Sequence, residues 1–144
     1  MTAKLSSPTG YGRILRDEKG AVLGIKEEAD ASSLEKKISE INAGIYCFEI
    51  EALLQVLENI KANNQQNEYY LTDAVSFLIQ EGHSVDGWAV SNPAEIHGVN
   101  DRVALSFAEK VLQKRTNEKL MRNGVSLHLP ETILLIPKAI LQAM

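Results

Sequence analysis

The sequence predicts an α/β fold, a mixed sheet with flanking helices, and three observations predict it. Gly10–Arg16 and Ala21–Glu27 carry branched and polar residues at a period near two around the turn formers Asp17-Glu18-Lys19-Gly20, which reads as a hairpin. Ile50, Leu53, Leu54, Leu57 and Ile60 recur at offsets of three, four, seven and ten, the pattern of a single apolar helix face. Asp101–Arg122 is a third, longer helical stretch, stopped by Asn123-Gly124, with Ala104, Phe107, Ala108, Val111 and Leu112 expected inward.

The remaining elements follow in order. Met1–Leu5 alternates weakly and meets the turn formers Ser6-Ser7-Pro8-Thr9-Gly10, so a short strand is expected to end there. Asp30-Ala31-Ser32-Ser33 leads into Leu34–Ser39, whose few apolar positions support no more than a short, exposed helical turn. Ile41–Phe48 is short and dense in branched and aromatic residues, which predicts a buried strand. After the apolar helix, ended by Ala62-Asn63-Asn64, a second helix is predicted over Thr72–Glu81. Thr72 or a nearby Asn would cap it, Asp73 suits its positive start and Gly82 its end. Val85–Val90 reads as a strand and Val125–Leu135 as extended chain. No internal repeat or low-complexity tract interrupts this order. Neither G-x-G-x-x-G nor G-x-x-x-x-G-K occurs, so the phosphate-cradling half of a doubly wound domain is not in the chain.

The bulk numbers exclude several classes. A chain of 144 residues has one domain's length and one expected core. Its 44% hydrophobic and 24% charged residues are ordinary for a soluble protein, and no apolar run approaches the roughly 20 residues of a membrane helix. A net charge of −4 with scattered Lys and Arg argues against nucleic acid as the partner. The one cysteine, Cys47, makes no disulfide framework and fits a reducing cytoplasm. Met1-Thr2-Ala3-Lys4-Leu5 lacks the basic start and apolar stretch of a signal peptide, so export is not indicated.

Nucleophile and metal chemistry find little support. His83, His97 and His128 share no metal-ligand spacing with one another or with Cys and carboxylates. Cys47, between Tyr46 and Phe48, reads as inert core filling. Ser76 and Ser106 lie in predicted helices without a nucleophile-elbow context. The polar clusters are better candidates. Gly12 serves either strand geometry or close approach of a ligand to the backbone. Glu27 is either a solvated charge beside Glu28 or a carboxylate that accepts hydrogen bonds from sugar hydroxyls. Asn42, one residue into an apolar strand, needs a backbone group or a ligand to satisfy it. Asn100 is either the cap of the long helix or an oxygen donor to a hard cation.

Five motifs carry a resemblance to a known family: Pro8-Thr9-Gly10-Tyr11-Gly12-Arg13-Ile14, Gly24-Ile25-Lys26-Glu27, Glu40-Ile41-Asn42-Ala43-Gly44-Ile45, Glu68-Tyr69-Tyr70-Leu71-Thr72-Asp73 and Gly98-Val99-Asn100-Asp101-Arg102. From about Ala3 to Leu129 the chain resembles the uridylyltransferase domain of the bifunctional N-acetylglucosamine-1-phosphate uridyltransferase/glucosamine-1-phosphate acetyltransferases. The resemblance implies part of a Rossmann-like nucleotidyltransferase domain. Residues 1–124 would be its sugar-binding half and 125–144 a linker or the truncated start of the next domain. It implies that Gly12, Glu27, Asn42 and Asn100 contact UDP-N-acetylglucosamine. Asn100 would also help an aspartate hold Mg²⁺, and the family's reaction joins UTP and N-acetylglucosamine 1-phosphate with release of pyrophosphate.

The departures carry expectations too. The family's glycine-rich loop, uracil-binding residues and metal-binding aspartate precede the matching region. Its left-handed β-helix, which carries acetyl transfer and trimerisation, would start near Leu129, and Ile136-Pro137-Lys138-Ala139-Ile140-Leu141 does not continue like it. The chain is therefore expected to be a cytoplasmic fragment without turnover of its own and without the family trimer. Ala43 stands where the family usually has Thr or Ser, and Asn67 where it often has Gly. A glucose-1-phosphate-type sugar nucleotidylyltransferase and a non-catalytic binding fragment are the rival readings.

Overall fold

The computed structural model describes residues 1–99 and 101–135. By packing the chain divides into two compact units, Met1–Ile96 and His97–Met144.

The first unit is α/β. Four short strands, β1 (Thr2–Lys4), β2 (Arg13–Arg16), β3 (Val22–Lys26) and β4 (Glu40–Asn42), form an open sheet in the order β1-β4-β2-β3. Every strand pairing is antiparallel, and the parallel component is a single bridge between Thr2 and Ala89. The β2–β3 hairpin closes where the sequence places it. Asp17 Oδ1 accepts the N–H groups of Lys19 and Ala21, and Gly20 takes the left-handed φ of +88° that a side chain would resist.

Helices α1 (Ile50–Leu57) and α2 (Asp73–Gln80) pack together through Ala52, Val56, Ile60, Ala74 and Leu78. The buried face of α1 is therefore not the predicted stripe. Ile50, Leu54 and Leu57 remain exposed, and of the predicted set only Leu53 and Ile60 join the core. Small Ala52 and Ala74 belong to this shared cluster and leave room for the two helices to pack. Val75 of α2 meets Ile14 and Val22 of the hairpin in a second cluster. Gly24 keeps α2 near β3, since a Cβ there would stand 2.5 Å from Ser76 Oγ.

Three further expectations in this unit need correction. The strand expected over Ile41–Phe48 ends at Asn42. Asn42 Oδ1 accepts the N–H of Gly44 at 3.0 Å, and Gly44 sits at φ +72°, so the chain turns off the sheet. Ile45 and Cys47 are consequently exposed, and Cys47 is not core filling. Val85–Val90 contributes only the bridge at Ala89, because only Thr2 offers its backbone there, through Thr2 N–H to Trp88 and Val90 N–H to Thr2. Thr72 is already helical in backbone and makes no side-chain cap. The exposed turn after Ser32 does form, as one 3₁₀ turn over Glu35–Lys37. Ser32 and Glu35 bond reciprocally, a capping box that holds the Glu35 carboxyl below its ordinary value.

An ion pair ties the sheet together. Arg16 donates from Nε to Glu40 Oε2 at 2.8 Å and from Nη2 to Glu40 Oε1 at 2.7 Å, and Thr2 Oγ1 donates to the same carboxylate. One carboxylate thus links β1, β4 and β2. The Arg16 hydrogen bond leads in holding the Glu40 carboxyl below its ordinary 4.5, with Thr2 aiding and burial opposing. Because the folded value lies below the unfolded one, this stabilisation is complete above the unfolded value and is lost as pH falls through the folded value. The urea midpoint is expected to drop as pH falls below the ordinary carboxylate range. Glu40→Gln should show a smaller drop from a lower starting midpoint.

The second unit is built on helix α3 (Arg102–Arg122). Its cap is Asp101, whose Oδ1 accepts the N–H of Ala104 at 2.7 Å, so the capping role weighed for Asn100 belongs to Asp101. Phe107 and Leu112 are exposed, against expectation, while Ala104, Ala108 and Val111 are half-buried. The apolar residues of α3 are spread around the helix and make no single stripe. Polar side chains hold the segment after it instead. Gln113 Nε2 donates to the carbonyls of Glu131 and Ile133, and buried Asn117 donates to those of Pro130 and Ile133. That clasp bends Val125–Leu135 into a 3₁₀ turn at Pro130–Thr132 where extended chain was expected. Among the described residues no helix is long and apolar enough to cross a membrane.

Candidate functional site

Three of the four expected site residues meet at one end of the sheet in the first unit. Gly12 immediately precedes β2, and its carbonyl accepts the N–H of Asn42, the last residue of β4, at 2.8 Å. Glu27 immediately follows β3. A Cβ built on Gly12 would lie 3.2 Å from Glu27 Oε2 and 3.2 Å from Ile25 Cγ2. Glycine at this position leaves the room that the carboxylate occupies. The antiparallel register explains the convergence: Arg13 faces Lys26 on one side and Ile41 on the other, so the residues flanking those pairs come together.

The polar atoms are held by protein groups. Thr72 Oγ1 donates to Glu27 Oε1 at 2.9 Å, which brings the Tyr69-Tyr70-Leu71-Thr72-Asp73 stretch to the same place and accounts for the missing cap on α2. Asn42 Nδ2 donates to Tyr46 Oη at 2.6 Å while Asn42 Oδ1 accepts from Gly44 N–H. Burial pushes the Tyr46 phenol above its ordinary 10, the Asn42 hydrogen bond opposes, and the Glu27 charge adds to the rise. At neutral pH the phenol is a neutral donor and acceptor.

Tyr46 and Thr72 were not among the expected site residues. Thr72 lies in the Glu68–Asp73 motif, and the Asn-x-Gly-x-Tyr spacing around the Gly44 turn was the available signal for Tyr46. Asn100 lies outside the described residues. Asn67, where the resembled family often has Gly, has φ +54°, a left-handed conformation that Asn tolerates better than most residues.

A cavity of about 330 Å³ opens beside the cluster. Asn42 and Tyr46 line it together with apolar side chains including Ile14, Val22, Val75 and Leu78, whereas Gly12 and Glu27 do not. The cluster itself offers one carboxylate, one amide and one phenol, a set suited to hydroxyl and amide groups of a ligand. It does not suit a divalent cation. Among the described residues no three His, Cys, Asp or Glu side chains converge.

No protein-family model matches the chain. Curated relatives do. The chain is 48% identical over 139 residues to the bifunctional protein GlmU of Halalkalibacterium halodurans, an alignment covering 96% of this chain and 30% of that protein. To GlmU of Bacillus subtilis it is 45% identical over 141 residues, 98% of this chain and 31% of the relative. To GlmU of Clostridioides difficile it is 49% identical over 127 residues, 88% and 28% respectively. The chain thus spans about three-tenths of the length of these relatives. Over almost its whole length it is homologous to one segment of the bifunctional GlmU proteins, and it belongs to their family.

Proposed function

We propose that this chain is the sugar-binding part of a uridylyltransferase that joins UTP and N-acetylglucosamine 1-phosphate into UDP-N-acetylglucosamine and pyrophosphate. The observation that carries the reading is the meeting of Gly12, Glu27 and Asn42, which are separated in sequence yet linked by the Gly12–Asn42 backbone bond and the Gly12–Glu27 approach. Kinship with the GlmU proteins supports it, and the ligand is the one that the resemblance of the five motifs implies.

In this reading Glu27 accepts hydrogen bonds from sugar hydroxyls, Asn42 pairs with the amide or hydroxyl groups of the amino sugar, and Gly12 lets the ligand reach the backbone. Transfer to a phosphorus depends mostly on such positioning and on neutralisation of spreading charge. Mg²⁺ enters the proposal through Asn100 alone, and no step is derived through it. The chain on its own holds the sugar end of the product and does not turn over UTP.

Titration calorimetry with UDP-N-acetylglucosamine tests the reading. Binding that is several-fold tighter than to UDP-glucose supports it. Preference for UDP-glucose would favour a glucose-1-phosphate-type enzyme, and flat titrations with every sugar nucleotide a non-catalytic fragment. Pyrophosphate release by the isolated chain would overturn the claim of inactivity. Gly12→Ala, whose methyl group would press on Glu27 and Ile25, is expected to weaken binding about tenfold, or 1.4 kcal/mol.

A further inference from the structure

We infer that Tyr46 is a positioning residue for this site: with the Gly44 N–H selecting the oxygen end of the Asn42 amide, the Tyr46 phenol pins the nitrogen end and so fixes the direction in which the remaining amide atoms face a ligand. The inference rests on the sugar-nucleotide reading above.

The geometry of the turn carries it. An amide side chain has two N–H donors and two acceptor sites, and rotation by half a turn exchanges them. Here both ends are claimed. Gly44 N–H can only donate, so the atom it meets at 3.0 Å is the oxygen, and the nitrogen must then point at Tyr46 Oη, 2.6 Å away. One N–H and one oxygen lone pair of Asn42 remain for a ligand, in fixed directions.

Tyr46 is itself held. Its ring stacks on Phe48 with centroids 5.4 Å apart and 23° between planes, and it packs against the cluster of Ile14, Val22 and Val75. The phenol therefore stays where the amide needs it, and no ordering of Tyr46 has to accompany binding. Neither property requires Tyr46 to touch the ligand. Its aromatic ring secures the turn that takes the chain off the sheet after β4, and its oxygen secures the amide at the head of that turn.

The test uses the full chain in four forms: wild type, Tyr46→Phe, Asn42→Ala and the double variant. Phenylalanine keeps the ring and its packing and removes only the oxygen. In the ligand-free protein, the Asn42 side-chain amide resonances are expected to move in Tyr46→Phe, with a thermal midpoint near that of wild type. Calorimetry with UDP-N-acetylglucosamine should show about a fivefold loss for Tyr46→Phe, the size of one neutral hydrogen bond, and no added loss when Asn42 is already alanine. Unmoved amide resonances would overturn the inference. So would an equal loss in both backgrounds, which would mean that Tyr46 acts on the ligand or the fold directly. Should wild type take no sugar nucleotide, the functional reading fails, while the amide resonances still decide whether Tyr46 orients Asn42.

Discussion

Arg13→Ala is expected to cost about 3 kcal/mol of folding stability, read as a fall in the urea midpoint at neutral pH. Among the described residues Arg13 is the largest of the fully buried side chains, 1% exposed, on the strand that pairs with both β3 and β4. Its Nη2 lies 2.6 Å from Glu28 Oε2. Its other terminal nitrogen donates to the Tyr11 carbonyl, and Nη2 also reaches the Lys36 carbonyl at 3.4 Å. Truncation leaves Glu28 without its counter-charge, two carbonyls without a donor and a void in the sheet. Removing one partner of a buried pair costs about 3–5 kcal/mol, and Glu28, with 30% of its side chain exposed, places the effect at the low end. A double variant, Arg13→Met with Glu28→Leu, is expected to recover most of the loss, because desolvation of two charges offsets much of their attraction. A double variant as unstable as Arg13→Ala would show that the carbonyl contacts carry the effect and the ion pair does not.

Glu27→Ala should lower the affinity for UDP-N-acetylglucosamine by about 10- to 100-fold. A hydrogen bond to a charged group contributes about 1.5–3 kcal/mol, and tenfold corresponds to 1.4. The variant removes the one carboxylate of the cluster and leaves Thr72, which is buried, without its acceptor. Glu27→Gln keeps an oxygen for Thr72 and should fall between wild type and alanine. Wild-type affinity in Glu27→Ala would remove the carboxylate from the site. Together with an unaffected Gly12→Ala, it would end the functional reading.

Local patterns were legible where local physics decides. The Asp17–Gly20 turn, the presence of α1 and α2, and the long run of α3 all rest on residues within a few positions of one another. Orientation was less so. The apolar stripe of α1 was legible, but the face that turns inward is the one carrying Ala52 and Val56, which share a core cluster with Ala74 and Leu78 of α2, a tertiary arrangement that periodicity does not contain. Ile45, Tyr46, Cys47 and Phe48 have strand composition, and the turn at Asn42 and Gly44 overrides it. The same split runs through the site. Gly12, Glu27 and Asn42 were named from the motifs that carry the resemblance, and the antiparallel register brings them together. The bond from Thr72 to Glu27 joins residues 45 positions apart and leaves no local trace.

The place of β1 bears on the order in which the first unit assembles. Thr2–Lys4 pairs with Glu40–Asn42 on one side, and Thr2 meets Ala89 on the other. Closing such distant segments is slow, because chain entropy is lost before the contacts return it. The sheet edge at β1 is therefore expected to form later in folding than the local β2–β3 hairpin, whose strands are joined by the turn at Asp17–Gly20.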